Sequence, residues 1–282
     1  METRTCNDVV LDSFIVDSVL AGDVDEEAVF NQLVKSTDWA EVTHKGGTIP
    51  RRLAVQGHIG EDGRRPIYRH PLDKCPEMTP FTGLVDSIRR AVIAAINTYN
   101  YGPPITFNHA LIQLYRSGED YISEHADKTI DVARGSVIAN FSIGSKRTMI
   151  LRDKTKKMNV KDEHPEQPRE VHRVPLKSNS VFVLGLNTNR CFLHEIKRDR
   201  RRVEEKDEEE RGDKFEGARI SITFRDIATF QSSDGQILTG QGAHFSLNDE
   251  DNEALLKAFS KENSSKESSD VIYSIASGTT PT

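Results

Sequence analysis

Residues 123–131 read SEHADKTID and set a histidine and an aspartate two positions apart, His125 and Asp127. In an extended segment, side chains at i and i+2 point to the same face, so this imidazole and carboxylate can converge on one metal ion. A mononuclear iron site of the two-histidine, one-carboxylate kind needs a further histidine from a distant strand and keeps positions open for reactants. His194, in NRCFLHEIKRD, is the best placed, because it ends an apolar stretch following the strand-like SVFVLGL. The competitors are weaker: His164 and His172 lie in a polar, Pro-containing stretch, His44, His58 and His70 in N-terminal loops, and His109 ahead of the motif strand. A second chemical signal is RISITFR, with Arg219 and Arg225 six residues apart. Six is even, so both guanidinium groups share one face of a strand, and each presents a fork matched to a carboxylate. Two arginines facing into a barrel are costly unless a dianion or acidic side chains meet them, and a dicarboxylate cosubstrate, 2-oxoglutarate beside iron, fits that demand.

The elements that must position these groups are legible in outline. DVDEEAVFNQLVKSTDW, residues 23–39, predicts a helix capped by Asp23 or Asp25, with Glu26 and Glu27 in its first turn and Val29, Phe30, Leu33 and Val34 as its apolar stripe. Residues 44–66, rich in Gly and Pro, predict loops with short strands, and Leu84, Ile88, Val92 and Ile96 predict a second helix over residues 81–100. From residue 106 onward the rhythm changes to short β-rich segments separated by turn residues. Helices followed by six or more strands fit an α+β protein on a jelly-roll or barrel. KRDRRRVEEKDEEERGDKFEG, residues 197–217, runs from basic to acidic with almost nothing to bury and predicts a solvated loop between strands. A short helix is expected over residues 250–260, and a Ser/Thr-rich, disordered tail after it. The domain organisation expected is an N-terminal strand/helix extension over 1–44, a main domain over 45–230, a C-terminal extension over 231–262 and a disordered tail over 263–282.

Bulk properties exclude several classes. A net charge of -6 over 282 residues argues against a protein living on nonspecific phosphate contacts, although a basic patch can hide in an acidic total. Three widely spaced cysteines, Cys6, Cys75 and Cys191, without a CxxC, argue against a disulfide scaffold and fit a reducing compartment. The apolar run over 9–22 carries two aspartates, so no signal peptide is expected, and no stretch of eighteen apolar residues predicts a membrane span. An intracellular protein of cytoplasm or nucleus is the expectation.

The ordered set HAD (125–127), His194 and RISITFR resembles the signature of the AlkB family of Fe(II)/2-oxoglutarate dioxygenases. IPRRLAVQG (49–57), HALIQLYRSGEDYISEHADK (109–128), GSVIANFSIGSKRTMILRDK (135–154) and VPLKSNSVFVLGLNTNRCFLHEI (174–196) resemble that family's segments in the same order, over roughly residues 45–230. The resemblance implies a double-stranded β-helix (jelly-roll) core with N-terminal helices packed on it. It implies iron held by His125, Asp127 and His194, the far carboxylate of 2-oxoglutarate on Arg219, and Arg225 near its metal-chelating end and Asp127. Tyr115 occupies the family's tyrosine position. Gln113 stands where the family usually has asparagine, and Ser221 replaces the asparagine usual in the middle of RISITFR. The implied chemistry consumes 2-oxoglutarate and O2, releases succinate and CO2, and hydroxylates a C–H bond, with ascorbate as reductant; on an N-methyl group the outcome is demethylation.

The substrate stays open between two classes, alkylated nucleic acid and a small biosynthetic metabolite. PRR (50–52), RR (64–65) and KRDRRR (197–202) could touch phosphates. Against that, base-reading members of the family tend to carry an acid just after the His-x-Asp motif, where this chain has Lys128, Thr129 and Ile130 before Asp131. RRLAVQGHIG also lacks an aromatic for base stacking, leaving His58 for that role. A non-catalytic binding module on the same fold is the third reading, although none of the five chemical side chains is lost.

Overall fold

The computed structural model describes residues 6–44, 46–71, 75–99, 104–154, 169–245 and 249–278. His164, one of the weaker histidine candidates, lies outside these described residues. The chain begins with strands β1 (Cys6–Val10) and β2 (Ser13–Val16), helix α1 (Glu26–Ser36), strands β3 (Ala40–His44), β4 (Gly47–Gly57), β5 (Arg65–Pro66) and β6 (Met78–Pro80), and helix α2 (Gly83–Asn97). It continues through β7 (His109–Tyr115), β8 (Ile122–His125), β9 (Val137–Gly144), β10 (Arg147–Asp153), β11 (Val171–Leu176), β12 (Ser180–Gly185), helix α3 (Leu186–Cys191) and β13 (Phe192–Ile196). The short helix α4 (Glu208–Arg211) leads to β14 (Arg219–Arg225), β15 (Thr229–Gln231) and β16 (Leu238–Gly240), and helices α5 (Asp249–Ser264) and α6 (Ser269–Ser277) follow.

A large sheet runs in the order β1-β2-β12-β9-β14-β7-β4-β3, with β6 added parallel to β4, and a smaller sheet runs β11-β10-β13-β8. Strict alternation gives the large sheet two different faces. On β14, Ile220, Ile222 and Phe224 face one way, where they join Ile112, Phe141 and Ile143 and the buried stripes of α1 and α2 in the main core. Arg219, Ser221, Thr223 and Arg225 take the other register positions, and all seven residues of the strand are buried. Between the two sheets lies a second apolar cluster that includes Tyr115, Ile138, Met149, Phe182, Leu184, Phe192 and Ile196. Two antiparallel sheets packed face to face, one of them backed by helices, form the expected α+β jelly-roll.

The helices start where their caps predict. Asp25 accepts from the Ala28 amide at 3.0 Å ahead of α1, and Thr82 accepts from the Val85 amide at 3.4 Å ahead of α2. Four expectations change. Residues 44–66 hold an eleven-residue strand, β4, rather than only short ones. Pro50 is accommodated because pairing with β7 begins at Arg52 and pairing with β3 is irregular between Glu41 and Thr43. The polar stretch around His172 forms β11, an edge strand, which tolerates Pro175. The 197–217 loop is ordered rather than merely solvated: Asp207 and Glu210 form a reciprocal capping box, Lys146 pairs with Asp207 and Glu209, and Phe215 packs on Phe30 with ring centroids 5.1 Å apart. The disordered tail expected over 263–282 contains the end of α5 and all of α6, whose Ile272 and Tyr273 are buried with Phe245, Leu255, Phe259 and Ile130. Its Ser-rich composition conceals an N-cap at Ser268 and an apolar stripe.

Candidate active site

Across the pairing of β8 with β13, His125 and His194 stand directly opposite one another, with ring centroids 4.2 Å apart. Strand β8 ends at His125, so Asp127 does not share a strand face with it, as simple alternation predicts; it reaches the same point from the irregular segment beyond. The Oδ1 of Asp127 lies 3.8 Å from the Nε2 of each histidine. One ligand atom from each of the three residues falls within 4.8 Å of the others. The electrostatics suit a cation. Burial, reinforced by the neighbouring His194, lowers the pKa of His125 to about 3, and burial lowers His194 too, so both rings present neutral nitrogen. Burial alone would raise the Asp127 carboxyl, but the Arg225 guanidinium and the two imidazoles outweigh it and hold it well below the carboxylate range. His125 Nδ1 contacts the Ser123 carbonyl at 2.8 Å, a bond that directs Nε2 inward. Two neutral imidazoles and one ionised carboxylate, converging on one point, fit a divalent metal of the iron type.

Why does a segment without a strand partner hold its shape? Residues 126–132 are all buried, and a buried backbone N–H must find an acceptor. Four successive amides do so through side chains. Ala126 donates to Asn263 Oδ1 at 2.9 Å, Asp127 to Asn189 Oδ1 at 2.9 Å, Lys128 to the Tyr68 hydroxyl at 3.1 Å and Thr129 to Glu262 Oε1 at 3.2 Å. Lys128 turns its ammonium onto the Phe259 carbonyl and Asn263 Oδ1, and Asp131 is taken by Arg69 through contacts of 2.7–3.1 Å.

The two arginines of β14 differ in their partners. Arg225 donates to Asp127 Oδ2 at 2.6 Å, which leaves Oδ1 turned to the histidines. Its guanidinium lies 4.0 Å from the centre of the Tyr68 ring. Arg219 is 1% exposed and bonds only neutral groups, Asn140 Oδ1 at 3.0 Å and Ser142 Oγ at 2.7 Å, with its centre 5.4 Å from that of the Tyr115 ring. Its Nε and Nη1 are buried without a hydrogen-bond partner, and burial lowers its pKa to about 10. A buried cation of that kind is suited to receive an anion.

A model of the 2OG-Fe(II) oxygenase superfamily matches residues 18–225. The chain belongs to that superfamily. DNA oxidative demethylase ALKBH2 of Bos taurus is 27% identical over 187 residues, covering 64% of this chain and 61% of that protein. The Homo sapiens ALKBH2 is 27% identical over 187 residues, covering 64% of this chain and 65% of that protein. The chain thus spans under two thirds of the length of these two relatives. The solved structure of OsALKBH1 superposes with a TM-score of 0.51 at 16% identity, covering 79% of this chain and all of that one, which is a likeness of fold. Membership of the superfamily brings its chemistry, which uses Fe(II), 2-oxoglutarate and O2, and the chain resembles the ALKBH2 proteins in sequence.

The oxygenase's triad opens into a cavity of about 460 Å³. Its walls bring in groups that sequence reading passed over. Asn140 donates to Ser221 Oγ at 2.8 Å and Thr223 Oγ1 at 3.0 Å while accepting from Arg219, so Ser221 acts on the arginine through Asn140. Polar residues at 140 and 142 in an otherwise apolar strand were the available signal. Gln113 accepts from Arg51 Nε at 2.7 Å, and Arg51 also donates to the Tyr121 carbonyl at 3.1 Å, which ties one of the expected phosphate contacts into the cavity wall. His58 is exposed and does not line the cavity; the aromatic wall there is Tyr68 stacked on His70, 5.0 Å apart at 25°. Of the basic runs, Arg64 pairs with Asp62, Arg201 with Asp199 and Glu210, and Arg202 with Glu205. Cys75 and Cys191 are free thiols, and no described helix is long and apolar enough to cross a membrane.

Burying neutral histidines links this site to pH. Burial lowers His125 to about 3 and His70 to about 4, from 6.5 when exposed. Between those values the unfolded chain binds more protons than the folded one, so the two histidines cost nothing above pH 6.5 and destabilise the fold increasingly as pH falls toward 3. Urea midpoints of metal-free protein should therefore fall between pH 7.5 and pH 5, with a shallower fall in His125→Ala.

Proposed function

We propose that the chain oxidises N-alkylated bases in nucleic acid, with Fe(II) held by His125, Asp127 and His194. In this reading Arg219 receives the far carboxylate of 2-oxoglutarate, with Asn140 and Ser142 fixing its fork and Tyr115 offering its hydroxyl nearby. Arg225 holds Asp127 in its coordinating pose and flanks the cosubstrate's keto-acid end. Gln113 and Ser221 support the pocket through Arg51 and Asn140. Bound Fe(II) would couple oxidative decarboxylation of 2-oxoglutarate by O2 to hydroxylation of a substrate C–H bond, and an N-methyl group so hydroxylated departs as formaldehyde.

The observation that carries the substrate class is the aromatic wall of Tyr68 and His70 in the same cavity as the triad. Burial keeps His70 neutral near pH 7, lowering it to about 4, so the wall offers the uncharged faces of an imidazole, stacked on a Tyr68 ring that already carries the Arg225 guanidinium. Such faces suit a flipped base, above all one whose alkylated ring nitrogen carries positive charge. Lys128, whose ammonium is turned onto the Phe259 carbonyl and Asn263, does not oppose that cation. The relatives named DNA oxidative demethylase support the same class.

A second reading, oxidation of a small metabolite, is favoured by Asp131, the nearest acid after the motif, which is committed to Arg69 and cannot read a base edge. The test is succinate and formaldehyde release with Fe(II), ascorbate and 2-oxoglutarate. A methylated single-stranded oligonucleotide should stimulate both products, while its unmethylated twin should not. Stimulation only by a small-metabolite extract would replace the nucleic-acid reading.

A further inference from the structure

The His125–Asp127 segment owes its shape to a part of the chain beyond the family match, which ends at residue 225. Two of the four side chains that receive its successive amides, Glu262 and Asn263, come from the end of α5. Glu262 is 4% exposed and also accepts from the Tyr273 hydroxyl of α6 at 2.6 Å, while its own carbonyl accepts from Lys154 Nζ at 2.7 Å. Asn263 Oδ1 takes both the Ala126 amide and, at 2.6 Å, the Lys128 ammonium, and Asn263 lines the catalytic cavity. Gln241 adds a third anchor, its Nε2 donating to the carbonyls of Ile130 at 2.9 Å and Val132 at 2.8 Å.

We propose that the C-terminal helix pair is a working part of the metal site, with Asn263 as a positioning residue that holds Asp127 at the coordinating point through the Ala126 amide and Lys128. The physical reason is local. Between His125 and Asp127 lies one residue, and its N–H has no ladder partner because β8 has ended. Without the Asn263 oxygen the buried Ala126 amide loses its acceptor and the Lys128 ammonium keeps the Phe259 carbonyl alone, and rotating the peptide at Ala126 toward another acceptor shifts the neighbouring Asp127. Asn189 then holds Asp127 from the other side, accepting its amide and donating to its carbonyl, both at 2.9 Å. The two asparagines, 74 positions apart in sequence, bracket one ligand.

This inference rests on His125, Asp127 and His194 being the metal ligands, and its test separates the two. The readout is Mn(II) affinity of the full chain by calorimetry, without cosubstrate, for the unmodified protein, His125→Ala, Asn263→Leu, Asn263→Ala and Asn263→Asp. Asn263→Leu should bind Mn(II) about 10- to 100-fold more weakly, the range seen when groups supporting a metal ligand are removed. Asn263→Asp keeps an acceptor for both donors and should stay within about threefold of the unmodified protein. A merely structural asparagine would not discriminate this way once circular dichroism shows the variants folded. If Asn263→Leu does not fold, Asn263→Ala, which leaves room for water, carries the comparison with Asn263→Asp. Equal Mn(II) affinities of the acceptor-lacking and acceptor-keeping variants overturn the positioning role. Failure of the unmodified protein to bind Mn(II), or full binding by His125→Ala, overturns the ligand assignment instead.

Discussion

Asp127→Ala should leave no measurable succinate formation and, in the same protein without metal, cost about 3–5 kcal/mol of stability. The first effect follows from removing the only carboxylate among the three groups that converge between β8, β13 and the segment after His125. The second follows from Arg225, which is 2% exposed and meets Asp127 Oδ2 at 2.6 Å. With the carboxylate gone, a buried guanidinium keeps its charge and loses its counter-ion, and breaking a buried pair in this way costs far more than the pair itself contributes. His125→Ala is the control. It should lose turnover as completely but unfold at nearly the unmodified urea concentration at pH 7.5, because a neutral imidazole leaves no charge behind. Urea denaturation of both metal-free variants measures the difference. Equal stabilities would mean that the Arg225–Asp127 pair does not anchor the site.

Arg219→Ala should raise the KM for 2-oxoglutarate by roughly 30-fold or more, the equivalent of about 2 kcal/mol or more for one partner of a buried, hydrogen-bonded charge pair. kcat at saturating cosubstrate should fall much less, and Mn(II) affinity should not change, since Arg219 lies at the opposite end of β14 from Arg225. Lysine should not rescue it, for a cation that bonds Asn140 and Ser142 through one nitrogen while two further nitrogens stay free for a carboxylate is a property of guanidinium. The metal-free variant should be as stable as the parent or more so, because the lost cation is buried among neutral partners. A KM unchanged within twofold would remove Arg219 from the cosubstrate pocket.

The parts of this molecule that the sequence makes legible are those with a period. Alternation on β14 reveals both arginines and their common face, and the 3.6-residue stripe reveals α1 and α2. His125 and His194 are found by residue type and order, although their opposition across β8 and β13 is a matter of register that no local pattern encodes. Position and partner are harder where shape comes from distant side chains. Asp127 looks like the next same-face residue of a strand, yet the strand stops before it, and its place depends on Asn189, Tyr68, Glu262 and Asn263. Those four are spread over 196 positions, from 68 to 263, and each is an ordinary polar residue in its own stretch. The first C-terminal helix is legible over residues 250–260, but its last turn and α6 are not, because residues 261–270, KENSSKESSD, are polar throughout while burial is carried by a few residues such as Leu255, Phe259, Ile272 and Tyr273. Tyr68 and His70 were hidden in a Pro-rich stretch whose role appears only when the fold brings it against the triad.

The face-to-face register of His125 and His194 bears on which length changes the chain can absorb. One residue added or removed in β13 ahead of His194 turns every later side chain of that strand to the other side of the sheet and carries His194 out of the interior. The same change in residues 197–217 leaves the strand untouched, because that connection lies beyond the β13 ladder and is held by side-chain contacts, such as Arg201 with Asp199 and Glu210 and Lys146 with Asp207 and Glu209, rather than by register. Insertions and deletions compatible with oxygenase chemistry should therefore gather in the connections and be absent from the strands that carry the histidines, so that the distance in sequence from His194 to Arg219 is free to drift while the six-residue spacing from Arg219 to Arg225 is not.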